Sequence, residues 1–224
     1  MIHLPKSQPA PECLESEKRR TDGDYKCGEV LIRLKDDFKN KCYICEEAEP
    51  TTINVEHFVA HRGDIEKKFD WNNLFFSCGH CNNTKQTKEI FYNILNCTVE
   101  SDGVDTNITY RLDQENWESV SVILLANNDT VRTANTVEFL NRIYNGITET
   151  KKIESSNLRQ KLIREIKKFE NYLIEYDQNV EDRDKDEIKN KIIRHLRPTS
   201  NFTAFKRWIV RENPVFMEEF GAYL

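Results

Sequence analysis

Two Cys-x-x-Cys pairs, Cys42/Cys45 and Cys78/Cys81, are the first residues whose spacing implies chemistry. Each such turn sets two thiolates on one side of an ion, and two turns complete the tetrahedron that zinc takes in structural sites. A redox role is disfavoured, because the pairs come twice and no thioredoxin-like βαβ pattern surrounds them. Four thiolates leave zinc no open position, so any reaction must take place elsewhere. His80, between Cys78 and Cys81, is expected to fill the turn with its ring away from the ion.

The segment between and just behind the pairs carries the groups that could react: Glu56-His57 in "VEHF", Asn73 in "WNNL", and Asn82 and Lys85 in "CNNTK". Hydrolysing a phosphodiester needs a base for water, a counter-charge and help for the leaving oxygen. A neutral histidine takes a proton from water near pH 7. A carboxylate and an amide oxygen hold a hard divalent ion that stabilises the leaving oxygen. Each motif alone is commonplace: a Glu-His pair is usually a surface or capping pair, and Asn-Asn a turn. Their joint placement around two metal knuckles points to a site. His61, Arg62 and Asp64 in "AHRGD" either reach a substrate from the loop after His57 or form a solvated turn.

The elements that must position these groups follow from periodicity. "GEVLIRLKDDFKNK" (28–41) places Val30, Leu31, Leu34 and Phe38 on one helical face. Residues 51–60 read as a strand or short hairpin. A helix is expected to open near Asn82 and run through "TKEIFYNIL". "ITYRL" and "SVSVILLA" read as strands around "DQENWE", and "TVEFLNRIYNG" as a helix stopped by Gly146. Residues 150–178 give the longest helical signal, with Leu158, Leu162, Ile166, Phe169, Leu173 and Tyr176 in one stripe. That stripe reads as core before docking surface, and Phe205 and Trp208 of "FKRW" likewise as core before nucleic-acid contacts. A further helix ends at Pro198, and Ser200 is the expected cap of the next. The fold class is α+β: an irregular segment at 1–27, a small metal-centred core at 28–95, and a mostly helical part with a β-hairpin at 96–224.

Composition bounds the rest. The 224 residues are 32 % charged and 38 % apolar, as in soluble globular proteins. No apolar run reaches membrane-spanning length, and the N-terminus lacks the apolar stretch of a signal peptide. Seven cysteines, an odd number, make a poor disulfide framework and suit a reducing, cytoplasmic setting, with Cys13, Cys27 and Cys97 as small buried apolar residues. A net charge of −5 argues against wrapping nucleic acid broadly, but suits a local basic site or a partner that supplies the cationic surface.

Taken together, Cys42, Cys45, Glu56-His57, Asn73-Leu74, Cys78, Cys81, Asn82 and Lys85 resemble the HNH endonuclease family, whose ββα-metal core is held by a zinc ribbon in many members. The resemblance implies that His57 is the general base and that Glu56 and Asn82 hold a catalytic Mg²⁺ or Mn²⁺. Asn73 would be the brace that positions the histidine, with Lys85 and Arg62 on the substrate phosphates. Glutamate replaces the commoner aspartate at 56, and asparagine the commoner histidine at 82; both keep an oxygen ligand. More loosely, "PKSQPAPECLE", "VEHFVAHRG", "FDWNNLFFSCGHCNNTK" and "FTAFKRWIVREN" are similar to the nuclease subunit of Septu anti-phage systems (PtuB-like), also found as an effector beside some retrons. That branch implies bacterial defence, an ABC/SMC-like ATPase partner (PtuA-like), and DNA before RNA as target. The competing reading is a zinc-ribbon adaptor that binds nucleic acid or protein and has no chemistry; such a module has no use for Glu56-His57.

Overall fold

The computed structural model describes all residues other than 87, 115–119 and 179–181. In chain order the first elements are α1 (Glu12–Lys18), α2 (Gly28–Asp37), β1 (Ile53–His57), α3 (Ile65–Phe69), β2 (Leu74–Cys78) and α4 (Gly79–Lys85). They are followed by β3 (Ile108–Gln114), β4 (Val120–Ala126), α5 (Val131–Asn145), α6 (Glu149–Asp177), α7 (Asp182–Leu196), α8 (Thr203–Glu212) and α9 (Pro214–Phe220). The described residues are thus α+β with two antiparallel strand pairs, β1–β2 and β3–β4. The turn expected in "DQENWE" falls mostly outside the described residues. Among the described residues no helix is long and apolar enough to cross a membrane.

The first strand pair positions the candidate site. β2, "LFFSC", is buried along its whole length, and β1 pairs with it so that Glu56 lies opposite Phe75 and His57 opposite Leu74. Aromatic residues on a pleated surface suit this two-sided burial. Cys78 ends β2 and is also the N-cap of α4, its Sγ accepting from the Cys81 N–H.

α4 stops at Lys85, well short of the helix expected through residue 95. The periodicity continues, but α5 takes over the backbone groups that a longer helix would use. Asn135 donates to the carbonyls of Ile90 and Asn93, Thr136 Oγ1 accepts from Leu95 N–H, and Arg132 donates to the Ile94 carbonyl. With those partners supplied by side chains, residues 89–92 form a 3₁₀ turn, and Phe91 packs on Phe139.

Residues 1–27 are irregular apart from α1, yet they pack into the fold. Met1, Ile2 and Leu4 are buried in the main core, and α1 is helical. The Lys6 ammonium sits 3.6 Å from the centre of the Trp71 ring and donates to the Leu74 carbonyl at 2.6 Å, while Trp71 Nε1 donates to the Ser7 carbonyl. Cys13 and Cys27 also differ from expectation: they form a disulfide between α1 and the residue before α2. Only Cys97 is a lone buried thiol in the interior.

One apolar cluster joins residues from Met1 to Phe205, and so draws on all three stretches distinguished in the sequence. A second, smaller cluster lies between α6, α7, α8 and α9 around Phe169, Leu173, Ile192 and Phe220. The whole α6 stripe is spent on these two cores and is not a docking surface. Burying each such leucine or phenylalanine contributes about 1.5–3 kcal/mol. Ser200 does not cap α8. Phe202 holds the N-cap position in a left-handed conformation (φ 51°), and the Ser200 carbonyl instead accepts from Lys41 and Thr203.

His195, on α7, faces the rings of Phe169 and Tyr172, and its Nδ1 has no hydrogen-bond partner among the described residues. Burial, followed by the nearby Lys206 ammonium, lowers its pKa to about 4 from 6.5. The folded chain therefore stays unprotonated there while the unfolded chain takes up a proton, so this residue's contribution is present above pH 6.5 and lost as the pH falls towards 4. Urea midpoints should drop between pH 7 and pH 5 by more in the wild type than in His195→Gln; equal drops would refute this account.

Candidate functional site

The two knuckles form by local turns. Lys39 and Asn40 take positive φ before Cys42, and Glu46 takes one after Cys45, which lets the Glu46 N–H reach the Cys42 carbonyl at 2.9 Å. The Sγ atoms of Cys42, Cys45, Cys78 and Cys81 lie within 4.8 Å of one another, all buried. A zinc ion with Zn–S bonds of about 2.3 Å needs S···S edges of about 3.8 Å, and the Cys45–Cys78 separation is 3.9 Å. Burial, followed by the neighbouring Cys42, Cys45 and Cys78, pushes the Cys81 thiol well above its ordinary pKa; a divalent cation would reverse that by favouring thiolates. These four cysteines can therefore hold a structural metal such as zinc. His80 turns away from them, with Nδ1 at 2.6 Å from Glu154 Oε2 and Nε2 at 2.9 Å from the Ile143 carbonyl. It ties the second knuckle to α5 and α6.

Beside this centre lies a cleft of about 420 Å³. It brings together Glu56, His57, Arg62, Asn82 and Lys85 of the residues singled out in the sequence, along with His61. Asn73 is not in the lining. Its Oδ1 accepts from Val59 N–H, its Nδ2 donates to the carbonyls of Val59 and Lys67, and its own carbonyl accepts from Phe58 N–H. It fastens the chain leaving β1 to the end of α3. Asp64 belongs to this loop too: as N-cap of α3 it accepts from Glu66 and Lys67 N–H, so its role is local.

His57 is half-buried at the end of β1. Its Nε2 is 3.0 Å from the Lys68 carbonyl. A carbonyl only accepts, so Nε2 carries the hydrogen and Nδ1 the lone pair. Burial holds the ring's pKa below its ordinary value, against the pull of the Lys68 carbonyl. The imidazole is thus neutral at pH 7, with its lone pair on Nδ1.

Glu56 and Lys85 form a buried ion pair at 2.9 Å, their side chains 4 % and 2 % exposed. The Lys85 ammonium also reaches the Phe58 carbonyl at 2.8 Å, the Tyr43 hydroxyl at 3.1 Å and the His57 carbonyl at 3.3 Å. Three N–H groups facing four acceptors are fully engaged. This corrects the expectation that Lys85 faces a phosphate: its charge is spent under the cleft floor, tying α4 to β1. Burial lowers its pKa, and Glu56 opposes that shift. Tyr43 donates to the same Glu56 oxygen, Oε1, and burial raises the phenol's pKa well above its ordinary value. Oε2 of Glu56 has only a long contact, 3.5 Å, with Ser77. The Asn82 amide makes no hydrogen bond among the described residues.

Arg62 stands on the rim in a left-handed conformation, φ 46°, and pairs with Glu89. Both side chains are exposed, so the pair contributes little and is easily exchanged. Spacing gave no hint of Tyr25, Lys26 and Tyr92, which also line the cleft. Tyr25 and Lys26 come from the N-terminal segment. The one available signal was "DGDYKC", a turn sequence that carries an aromatic and a cation.

Two stability experiments follow. Cys81→Ser should lose most of the bound zinc and melt roughly 10 °C lower; metal content and calorimetry measure both, and a metal-free wild type of equal stability would refute the site. Lys85→Met strands the Glu56 carboxylate and should cost about 3–5 kcal/mol, most of it recovered in the double variant with Glu56→Gln. Urea unfolding reads the cycle, and additive losses would rule out the pairing.

Compared with known proteins, the chain matches no family model and no curated protein.

Proposed function

We propose that this chain is a metal-dependent endonuclease of the HNH type, hydrolysing phosphodiester bonds in nucleic acid. One observation carries the reading: His57, Glu56 and Asn82 converge on one cleft at the open end of a β1–β2–α4 unit, next to the four-cysteine centre. An antiparallel pair followed by a helix is the arrangement that a ββα-metal core requires.

In this reading, His57 Nδ1 takes the proton of the attacking water, because Nε2 is committed to the Lys68 carbonyl. Asn73 keeps the loop after His57 in place. The atoms that would hold a divalent ion are Glu56 Oε2, the less engaged carboxylate oxygen, and the Asn82 amide oxygen. One carboxylate and one neutral oxygen suit Mg²⁺ or Mn²⁺, which keep several waters and bind with substrate phosphate. When bound, the ion supplies charge stabilisation at the leaving oxygen. Lys85 offsets the charge of Glu56, so the protein ligands alone bind a cation weakly and the substrate phosphate contributes to its affinity. Arg62 and Lys26, both exposed on the rim, are the cations placed to meet the backbone.

The net charge of −5 supports a subunit that does not hold nucleic acid alone. The partner we infer is an ABC/SMC-like ATPase in a Septu-type defence complex, with DNA before RNA as target. A second reading has one observation in its favour. The Glu56–Lys85 pair is as fully buried as a purely structural ion pair, which a zinc-ribbon adaptor without chemistry would also accommodate.

Purified chain, alone and with the ATPase, should cut plasmid DNA or tRNA when given Mg²⁺ or Mn²⁺. His57→Ala should reduce cutting at least about 100-fold with zinc content and melting temperature unchanged. Equal cutting by that variant would remove His57 as the base; absence of cutting by the wild type under every condition would favour the adaptor.

A further inference from the structure

We propose that the N-terminal segment supplies a positioning residue for the base: Tyr25, held against the His57 ring. The inference rests on the reading of His57 as base and adds a residue from outside the 28–95 core. The centroids of Tyr25 and His57 are 4.5 Å apart, and His61 packs on His57 at 4.7 Å. With Nε2 tied to the Lys68 carbonyl, the ring is confined by two aromatic neighbours and one hydrogen bond. A base confined in this way keeps its lone pair in one direction, which is the condition for efficient proton abstraction.

The segment is built to place this ring. Gly23 turns so closely on the end of α1 that a Cβ there would lie 1.8 Å from the Glu17 carbonyl oxygen. Asp24 N–H donates to Glu17 Oε2 at 2.9 Å, and Asp24 Oδ1 accepts from Lys26 N–H at 2.9 Å. These contacts bracket Tyr25 on both sides. Lys68 joins the two halves of the clamp: its carbonyl holds His57 Nε2, and its ammonium donates to the Gly23 carbonyl at 3.0 Å. One residue of α3 thus fixes both the base and the turn that presents Tyr25. The Tyr25 hydroxyl makes no hydrogen bond among the described residues, so the ring is the part that acts.

The test pairs kinetics with a readout independent of activity, on the full chain with its ATPase. Tyr25→Leu should lower kcat roughly 10- to 100-fold with KM unchanged on a labelled duplex oligonucleotide, or on tRNA if that is what the wild type cuts. Tyr25→Phe should restore wild-type kcat. In proton–carbon spectra of histidine-labelled protein, Tyr25→Leu should move the His57 ring signals and leave those of His195 in place. Gly23→Ala, which displaces the turn without touching either ring, should reproduce both effects if Tyr25→Leu fails to fold. A raised KM at unchanged kcat would overturn the proposal in favour of a substrate contact. Unmoved His57 signals would overturn it as a matter of geometry. If Tyr25→Leu cuts like the wild type while His57→Ala is dead, this inference falls and the nuclease reading stands. If the wild type does not cut at all, both fall.

Discussion

Four cysteine sulfurs within 4.8 Å of one another, shut away from water, set the constraint to which the rest of the site answers. The chain leaves Cys45, must return at Cys78, and does so as the β1–β2 strand pair. Because Cys78 both ends β2 and caps α4, the direction of that helix is fixed relative to the strand pair. Asn82 then emerges one turn along and Lys85 nearly two, which aims them at the end of β1. Four buried thiols crowded this closely gain most from a shared cation, whose charge would dominate the local electrostatics. The geometry next to the cleft follows from closing that cluster.

The second constraint is the Glu56–Lys85 pair. Two charges removed from water cost several kcal/mol each, and their attraction offsets this only with good geometry and satisfied hydrogen bonds. Here the ammonium meets a carboxylate, a phenol and two carbonyls, so the pair is close to saturated. It also ends β1 cleanly. The carbonyls of His57 and Phe58, which a longer strand would offer to a partner strand, are taken by the ammonium instead. The chain turns away there, and Asn73 secures the turn from below.

Much of this was legible in the sequence, for reasons that differ by residue. The Cys-x-x-Cys spacing specified the cluster because ligand geometry leaves few alternatives. The α6 stripe specified its burial because six apolar residues share one face. Lys85 was misplaced because lysine is almost always exposed, and only the carbonyls and carboxylate of distant residues make its burial affordable. The helix after residue 85 was overextended because its period was right; the competing partners sit on α5, some forty residues later. The N-terminal segment gave least. "MIHLP" has neither period, and the role of Tyr25 depends on a ring 32 positions away.

The distribution of cations carries a further consequence. Lys41, Lys85, Lys206 and Arg207 are buried, and each is tied to an internal partner: the Ser200 carbonyl, Glu56, Glu165 and Asp105 respectively. The cationic stretch "FKRW" is therefore interior strutwork, with Phe205 edge-on to Tyr110 and Tyr144. Cations used in this way are lost to a polyanionic ligand, since neutralising phosphates requires ammonium and guanidinium groups that reach the surface. At the cleft, the exposed cations are Lys26 and Arg62, one on the N-terminal wall and one on the loop after β1. Two rim cations can orient a backbone at the base but not supply the bulk of a nucleic-acid affinity. In the proposed function this divides the work: the chain presents His57 and its ligands, and the surface that gathers the substrate belongs to the partner.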